Sequence, residues 1–192
     1  TKEHIFAGLE RGSELGWNPV PVGYAADYFK YIVFKDPNWD PKTLNYDSDV
    51  EKASKGANLI FDATSTDMSR FTKRGGKLIM YQGWAEPGIP PGNLVKYLGQ
   101  IQQKTSAAKD SVRVFMVPGM GHCGGGNGTS TFDMVAALDA WLAGGKAPEQ
   151  INASRVRDGK IDRTRPLCAW PSVAEYKGSG SIDDAASFVC KQ

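Results

Sequence analysis

The 192 residues are enough for one core and a smaller appendage, and 41% hydrophobic with 23% charged residues places the chain within the globular norm, away from the signature of disorder. A formal net charge of +2, with both signs interspersed, offers no electrostatic footprint for nucleic acid or an anionic membrane, so neither is expected as a partner. No apolar run approaches the ~18 residues that span a bilayer, and the opening TKEHIFAGLERG lacks the order of a secretion signal, so either a signal has been removed or the chain begins internally.

In chain order, residues 1 to about 72 read differently from the rest. They are rich in aromatic rings, from Trp17 to Tyr46, and punctuated by Pro19, Pro21, Pro37 and Pro41, which predicts short helices and long loops. One helix is expected over Ala25 to Phe34 and another over Val50 to Asn58, with a turn at DPNWDP because proline disfavours helix at the preceding residue. The rings read as packing rather than as a pocket.

From Gly76 the pattern becomes regular. Lys77 to Tyr81 is a short apolar run bounded by glycines, as in a buried parallel strand. The loop Gly83 to Pro91 follows, and then Leu94, Val95, Leu98 and Ile101 recur at helical spacing. The unit repeats: Val112 to Val117 as strand, 118 to 128 as loop, and a helix marked by Phe132, Val135, Ala136, Asp139 and Leu142 and closed by Gly144 and Gly145. Two such units predict an α/β class with a parallel sheet. Functional groups in these sheets gather outside the carboxyl ends of the strands, so Glu86 and His122 are expected as neighbours. Beyond Lys146 the chain reads as short polar segments and a turn-rich run with little core of its own.

His122 is one of two histidines and sits in the glycine-dense PGMGHCGGG, where an imidazole titrating near neutrality suits a general base; a structural loop histidine is the competing reading. His4 reads as a surface residue. Glu86 is placed to orient the imidazole, although by itself it reads more readily as a solvated glutamate on a turn. Cys123 is a poor nucleophile for its own neighbour because adjacent side chains diverge, and no usual zinc-ligand spacing surrounds it, which leaves a disulfide role. With three cysteines in the chain, a Cys168–Cys190 bridge suits the tail and leaves Cys123 odd. No GxSxG elbow occurs in the chain, and the sequons at Asn127 and Asn152 are compatible with a secreted glycoprotein.

RGGKLIMYQGWAEPGIPPGN, FMVPGMGHCGGG and RTRPLCAWPSVAEYKGSGSIDDAASFVC, in that order, with a fainter ERGSELGW near the start, resemble the tannase and feruloyl esterase group of α/β-hydrolases, which includes the esterase for mono(2-hydroxyethyl) terephthalate. The resemblance implies the C-terminal part of an α/β-hydrolase fold (73–192), preceded by the end of an inserted lid domain (1–72). It also implies a secreted or periplasmic serine carboxylic ester hydrolase acting on small phenolic or aromatic esters. His122 would be the base and Glu86 would stand where the family usually has Asp. Cys123 would bridge to a cysteine beside the nucleophilic serine. Serine and partner cysteine would lie in an N-terminal half outside this chain, disulfide-linked to it through Cys123. Trp84 and Ile89 would line the acyl pocket or simply pack. No cofactor would take part in the chemistry, and a structural calcium would belong to the lid region outside this chain. The rival expectation is a non-catalytic binding or structural homologue on the same scaffold, marked by the altered acid Glu86.

Overall fold

The computed structural model describes residues 9–17, 23–56 and 58–192; His4 and one position of the expected Val50–Asn58 helix lie outside the described residues. The described residues divide into two compact units, one within Asn18–Ser65 and one formed by 9–17 with Thr66–Gln192.

The smaller unit has α1 (Gly23–Asp27), which widens into a π-helical stretch over Tyr28–Phe34, then α2 (Ser48–Lys55) and the short α3 (Asn58–Phe61). Tyr28, Phe29, Phe34, Trp39 and Phe61 pack on one another, whereas Tyr24, Tyr31 and Tyr46 are exposed. Trp39 stacks on Phe34 at 5.1 Å and on Phe29 at 5.6 Å, Tyr28 meets Phe61 edge-on, and the Lys52 ammonium lies 4.6 Å from the Phe34 centroid. For these residues the contacts agree with the expectation of packing, since aromatic pairs in such geometries stabilise beyond the area they bury. The expected helix and turn boundaries hold to within a few residues, with Asp40 capping a 3₁₀ turn at Pro41–Thr43.

In the larger unit α4 (Ser69–Thr72) leads to β1 (Leu78–Gly83), α5 (Gly92–Lys104), β2 (Val112–Val117) and α6 (Met134–Gly144). β1 and β2 pair in parallel, Leu78 opposite Val112 through Gly83 opposite Val117. Side chains alternate across the pair. Val112, Val114 and Met116 join Leu98 and Ile101 of α5 in one cluster, while Phe115 and Val117 enter a second on the opposite face. Burial on both faces is why this strand is apolar at every position but Arg113. Beyond β2, Trp170 N–H donates to the Val114 carbonyl and Phe115 bridges Ala169, so that side is covered. The far edge of β1 carries no ladder among the described residues.

α6 is capped as its sequence suggests: the Asp133 carboxylate accepts from Ala136 N–H at 2.8 Å, and Gly145 ends it at φ +69°. Its buried face is not the expected one. Val135 and Leu142 are exposed, whereas Trp141 is buried and Met134 and Ala137 pack against the core. MVAALDAWLAG is apolar on nearly every side, so periodicity selects no face and tertiary packing decides.

The tail also departs from expectation. β3 (Gln150–Arg157) and β4 (Lys160–Cys168) form a long antiparallel hairpin, followed by β5 (Val173–Tyr176) paired with β6 (Phe188–Lys191). Ile151, Ala153, Leu167 and Ala169 are buried in the core with Phe115 and Val117, so this segment supplies core rather than lacking it. The hairpin turns at Asp158-Gly159, both at positive φ, as a two-residue I′ connection requires. Cys168 and Cys190 form the expected disulfide, tying β4 to β6 across 22 residues, a closure worth roughly 3 kcal/mol in a chain-entropy account.

Candidate active site

Because β1 and β2 are parallel and in register, their carboxyl ends lie side by side, and the chain leaves both through loops, 84–91 and 118–128. The pairing continues beyond the strands, with Trp84 N–H donating to the Val117 carbonyl and Ala85 N–H to the Met120 carbonyl, each at 3.0 Å. Gly83 is the pivot of this approach. A Cβ there would run into the backbone carbonyls of Met120 and Gly121, so only glycine lets the loops close. At the neck of the second loop Gly128 N–H donates to the Gly119 carbonyl at 3.0 Å.

The closure brings Glu86 and His122 together. Glu86 is 1% exposed, which rules out the reading of a solvated turn glutamate. One carboxylate oxygen, Oε1, accepts from Gly88 N–H at 2.7 Å and Ile89 N–H at 3.1 Å; the other, Oε2, lies 2.5 Å from His122 Nδ1. Burial is the largest influence on this carboxyl and opposes its ionisation. The two backbone N–H groups and His122 together outweigh it and hold the group below its ordinary value. An ionised carboxylate can only accept, so Nδ1 carries a proton toward it; Nε2, the acceptor whenever the imidazole is neutral, belongs to a side chain that is 62% exposed. The imidazole is thus oriented from one side and open on the other.

A concavity of about 320 Å³ adjoins His122, lined by Ala85, Pro87, Gly119, Gly121 and Asn127 together with Arg11, Gly12 and Gly16. Arg11 is the one cationic side chain in that lining, and residue-by-residue reading passed over it; the faint ERGSELGW match was the available signal. Trp84 and Ile89 are not part of the lining. Trp84 packs on the α5-side cluster with its ring 6.1 Å from Trp170, and Ile89 is exposed while its backbone serves Glu86 and accepts from Gln82. Cys123 is a free, exposed thiol next to His122. Asn127 is engaged, its amide oxygen 3.5 Å from Arg157 Nη2. Among the described residues no group of three or more His, Cys, Asp or Glu is placed to hold a metal ion, and no helix is long and apolar enough to cross a membrane.

Known proteins share this arrangement of elements. The family model described as tannase and feruloyl esterase matches residues 18–191. An uncharacterized esterase of Xanthomonas campestris is 34% identical over 99% of this chain and 42% of its own length. The mono(2-hydroxyethyl) terephthalate hydrolase of Piscinibacter sakaiensis is 44% identical over 67% of this chain and 22% of its own. The crystal structure of an esterase from Aspergillus oryzae superposes with a TM-score of 0.80 at 27% identity, covering 94% of this chain and 40% of that one. The chain therefore spans less than half the length of these relatives, and its strands and helices are part of an α/β-hydrolase fold. On the match over 18–191, the chain belongs to the tannase and feruloyl esterase family.

Proposed function

We propose that this chain is the C-terminal portion of a serine carboxylic ester hydrolase and supplies the base and acid of its triad. The observation that supports this most is the buried Glu86 carboxylate, saturated by two backbone N–H groups on one oxygen and bonded to His122 Nδ1 through the other. In this reading a serine from the part of the protein outside this chain attacks the ester carbonyl while His122 Nε2 takes its proton. Glu86 holds the Nδ1–H tautomer and stabilises the imidazolium. The imidazolium then protonates the departing alcohol, leaving an acyl-serine, and a water activated by the same Nε2 releases the acid. The donors that stabilise the tetrahedral oxyanion belong with the serine's own turn.

The exposed Cys123 thiol is the attachment point to the serine-bearing half, through a disulfide that fixes the histidine loop against the nucleophile. The Cys168–Cys190 bridge suits an oxidising compartment, which favours a secreted or periplasmic protein. Residues 1–72 are read as the end of the lid, although the described residues 9–17 and 66–72 group with the larger unit rather than with 18–65. A structural calcium, as the resemblance implies, would belong to the part of the lid outside this chain, and the chemistry proposed above uses only side chains and water. Small phenolic or aromatic esters, hydroxycinnamates or gallates, are the substrate class. The rival reading, a non-catalytic homologue marked by Glu86, is disfavoured because the longer acid reaches Nδ1 while keeping both backbone bonds.

Assay of methyl ferulate and methyl gallate tests the proposal. The full-length protein is expected to turn over one or both, and the 192-residue chain alone neither. Turnover by the chain alone would reject the external serine, and inactivity of the full-length protein on a panel of aromatic esters would favour the binding homologue.

A further inference from the structure

Residues 118–128 include six glycines, so apart from Met120, which is fully buried in the core, the loop that carries His122 has few side chains to pack and much backbone freedom to lose. Its incoming arm is fixed by the continuation of the β1–β2 pairing. Its outgoing arm lies on the β3–β4 hairpin: Thr131 and Ser154 exchange two backbone bonds, at 3.0 and 2.8 Å, and Arg155 Nη1 donates to the Asn127 carbonyl at 3.1 Å. Arg155 shares the inward parity of Ile151 and Ala153 on β3, and its side chain is only 13% exposed.

The guanidinium is itself held. Its Nε and Nη2 donate to the two carboxylate oxygens of Asp162 at 2.7 and 2.9 Å, a bidentate fork that leaves Nη1 aimed at the loop. Asp162 is available because the hairpin is irregular there: Arg155 pairs with Arg163 but Val156 pairs with Ile161, so Asp162 is the unopposed residue of a β-bulge. Bulges re-aim side chains in this way beside functional sites.

We infer that Arg155, locked by the bulged Asp162, is a positioning residue that clamps the outgoing arm of the His122 loop through the Asn127 carbonyl and so holds the imidazole on Glu86. The inference rests on the catalytic reading above for its kinetic consequence, but the clamp itself does not. The chemistry demands arginine: three donors on one planar group serve two carboxylate oxygens and a carbonyl together, whereas a lysine ammonium is a point charge without that fork.

The test uses the full-length protein, with methyl ferulate as the ester probe and the downfield proton NMR resonance of His122 Nδ1–H as a second readout. Arg155→Gln is expected to lower kcat by about tenfold to a hundredfold with KM within about twofold, and to broaden or abolish the resonance. Arg155→Lys, which keeps the charge but not the fork, is expected to follow Arg155→Gln. Arg163→Gln removes the Arg163–Asp183 ion pair from the same hairpin without touching the loop, and is expected to retain both signals. Wild-type kcat and resonance in both Arg155 variants would overturn the clamp, as would equal losses in Arg163→Gln. A wild-type protein without ester turnover would count against the catalytic reading alone, because the resonance still decides on the clamp.

Discussion

The two loops at the carboxyl end of the strand pair solve opposite problems. Loop 84–91 buries a charge and satisfies it locally: Glu86 lies two and three residues from the N–H groups that bind it, so the turn that hides the carboxylate also solvates it. Loop 118–128 exposes its functional group; beyond its own Gly128–Gly119 bond and the buried Met120, its order comes from the first loop, from the β3–β4 hairpin and, in the proposed enzyme, from a disulfide at Cys123. The acid is a buried reference, and the base is an exposed group held against it. An imidazole that must exchange protons with a reactant needs an open side, which forbids the kind of burial that fixes Glu86.

The contrast is broken most severely at the base. In the full-length protein His122→Ala is expected to reduce kcat by about 10⁶, measured on methyl ferulate, since removal of a triad base costs on that order. Near-normal kcat would remove His122 from the chemistry. Glu86→Gln is expected to cost about 10⁴ in kcat, because the neutral amide no longer selects the Nδ1–H tautomer and leaves the imidazolium unpaired. Glu86→Asp should cost less than Glu86→Gln, retaining the charge but not the full reach; an equal loss would show that reach, not charge, dominates. Gly83→Ala acts on the approach of the loops rather than on either group. It is expected to destabilise the protein by about 1–3 kcal/mol in denaturant unfolding, as overpacking of a closed contact does, and an unchanged midpoint would mean the loops can part at no cost.

The smallest effect is one of pH. The folded-state carboxyl of Glu86 lies below its ordinary value, so its contribution to stability is complete above the unfolded-state value and is lost as pH falls through the lowered folded-state value. The melting temperature of the wild type should therefore fall more steeply in acid than that of Glu86→Gln. Parallel curves would mean that the carboxylate is not anchored as described.

Much of this site is legible in the sequence. The mainly apolar runs at 77–81 and 112–117, each followed by a loop and a helical pattern, read as strands, and two strand-loop-helix units place Glu86 and His122 at one edge. The state of Glu86 was not legible. Whether a glutamate on a glycine- and proline-rich turn faces water depends on where Gly88 and Ile89 direct their N–H groups, which spacing does not encode. The face of α6 was illegible for want of contrast, since almost every residue in it is apolar. The hairpin after Lys146 was missed although its signal was present: Asp158-Gly159 is a strong two-residue turn pair, obscured by the polar residues on both strands. With the hairpin went Arg155 and Asp162, whose meeting depends on a one-residue register shift.

Among the described residues the far edge of β1 carries no ladder, and that has a practical consequence. A strand that is paired on one side and bare on the other is a template for any chain able to add to it. Expressed by itself this polypeptide should self-associate in a concentration-dependent way, and co-expression with a segment that supplies the neighbouring strand should restore solubility before it restores any turnover. Recovery of soluble protein is thus the first assay of a correct complement.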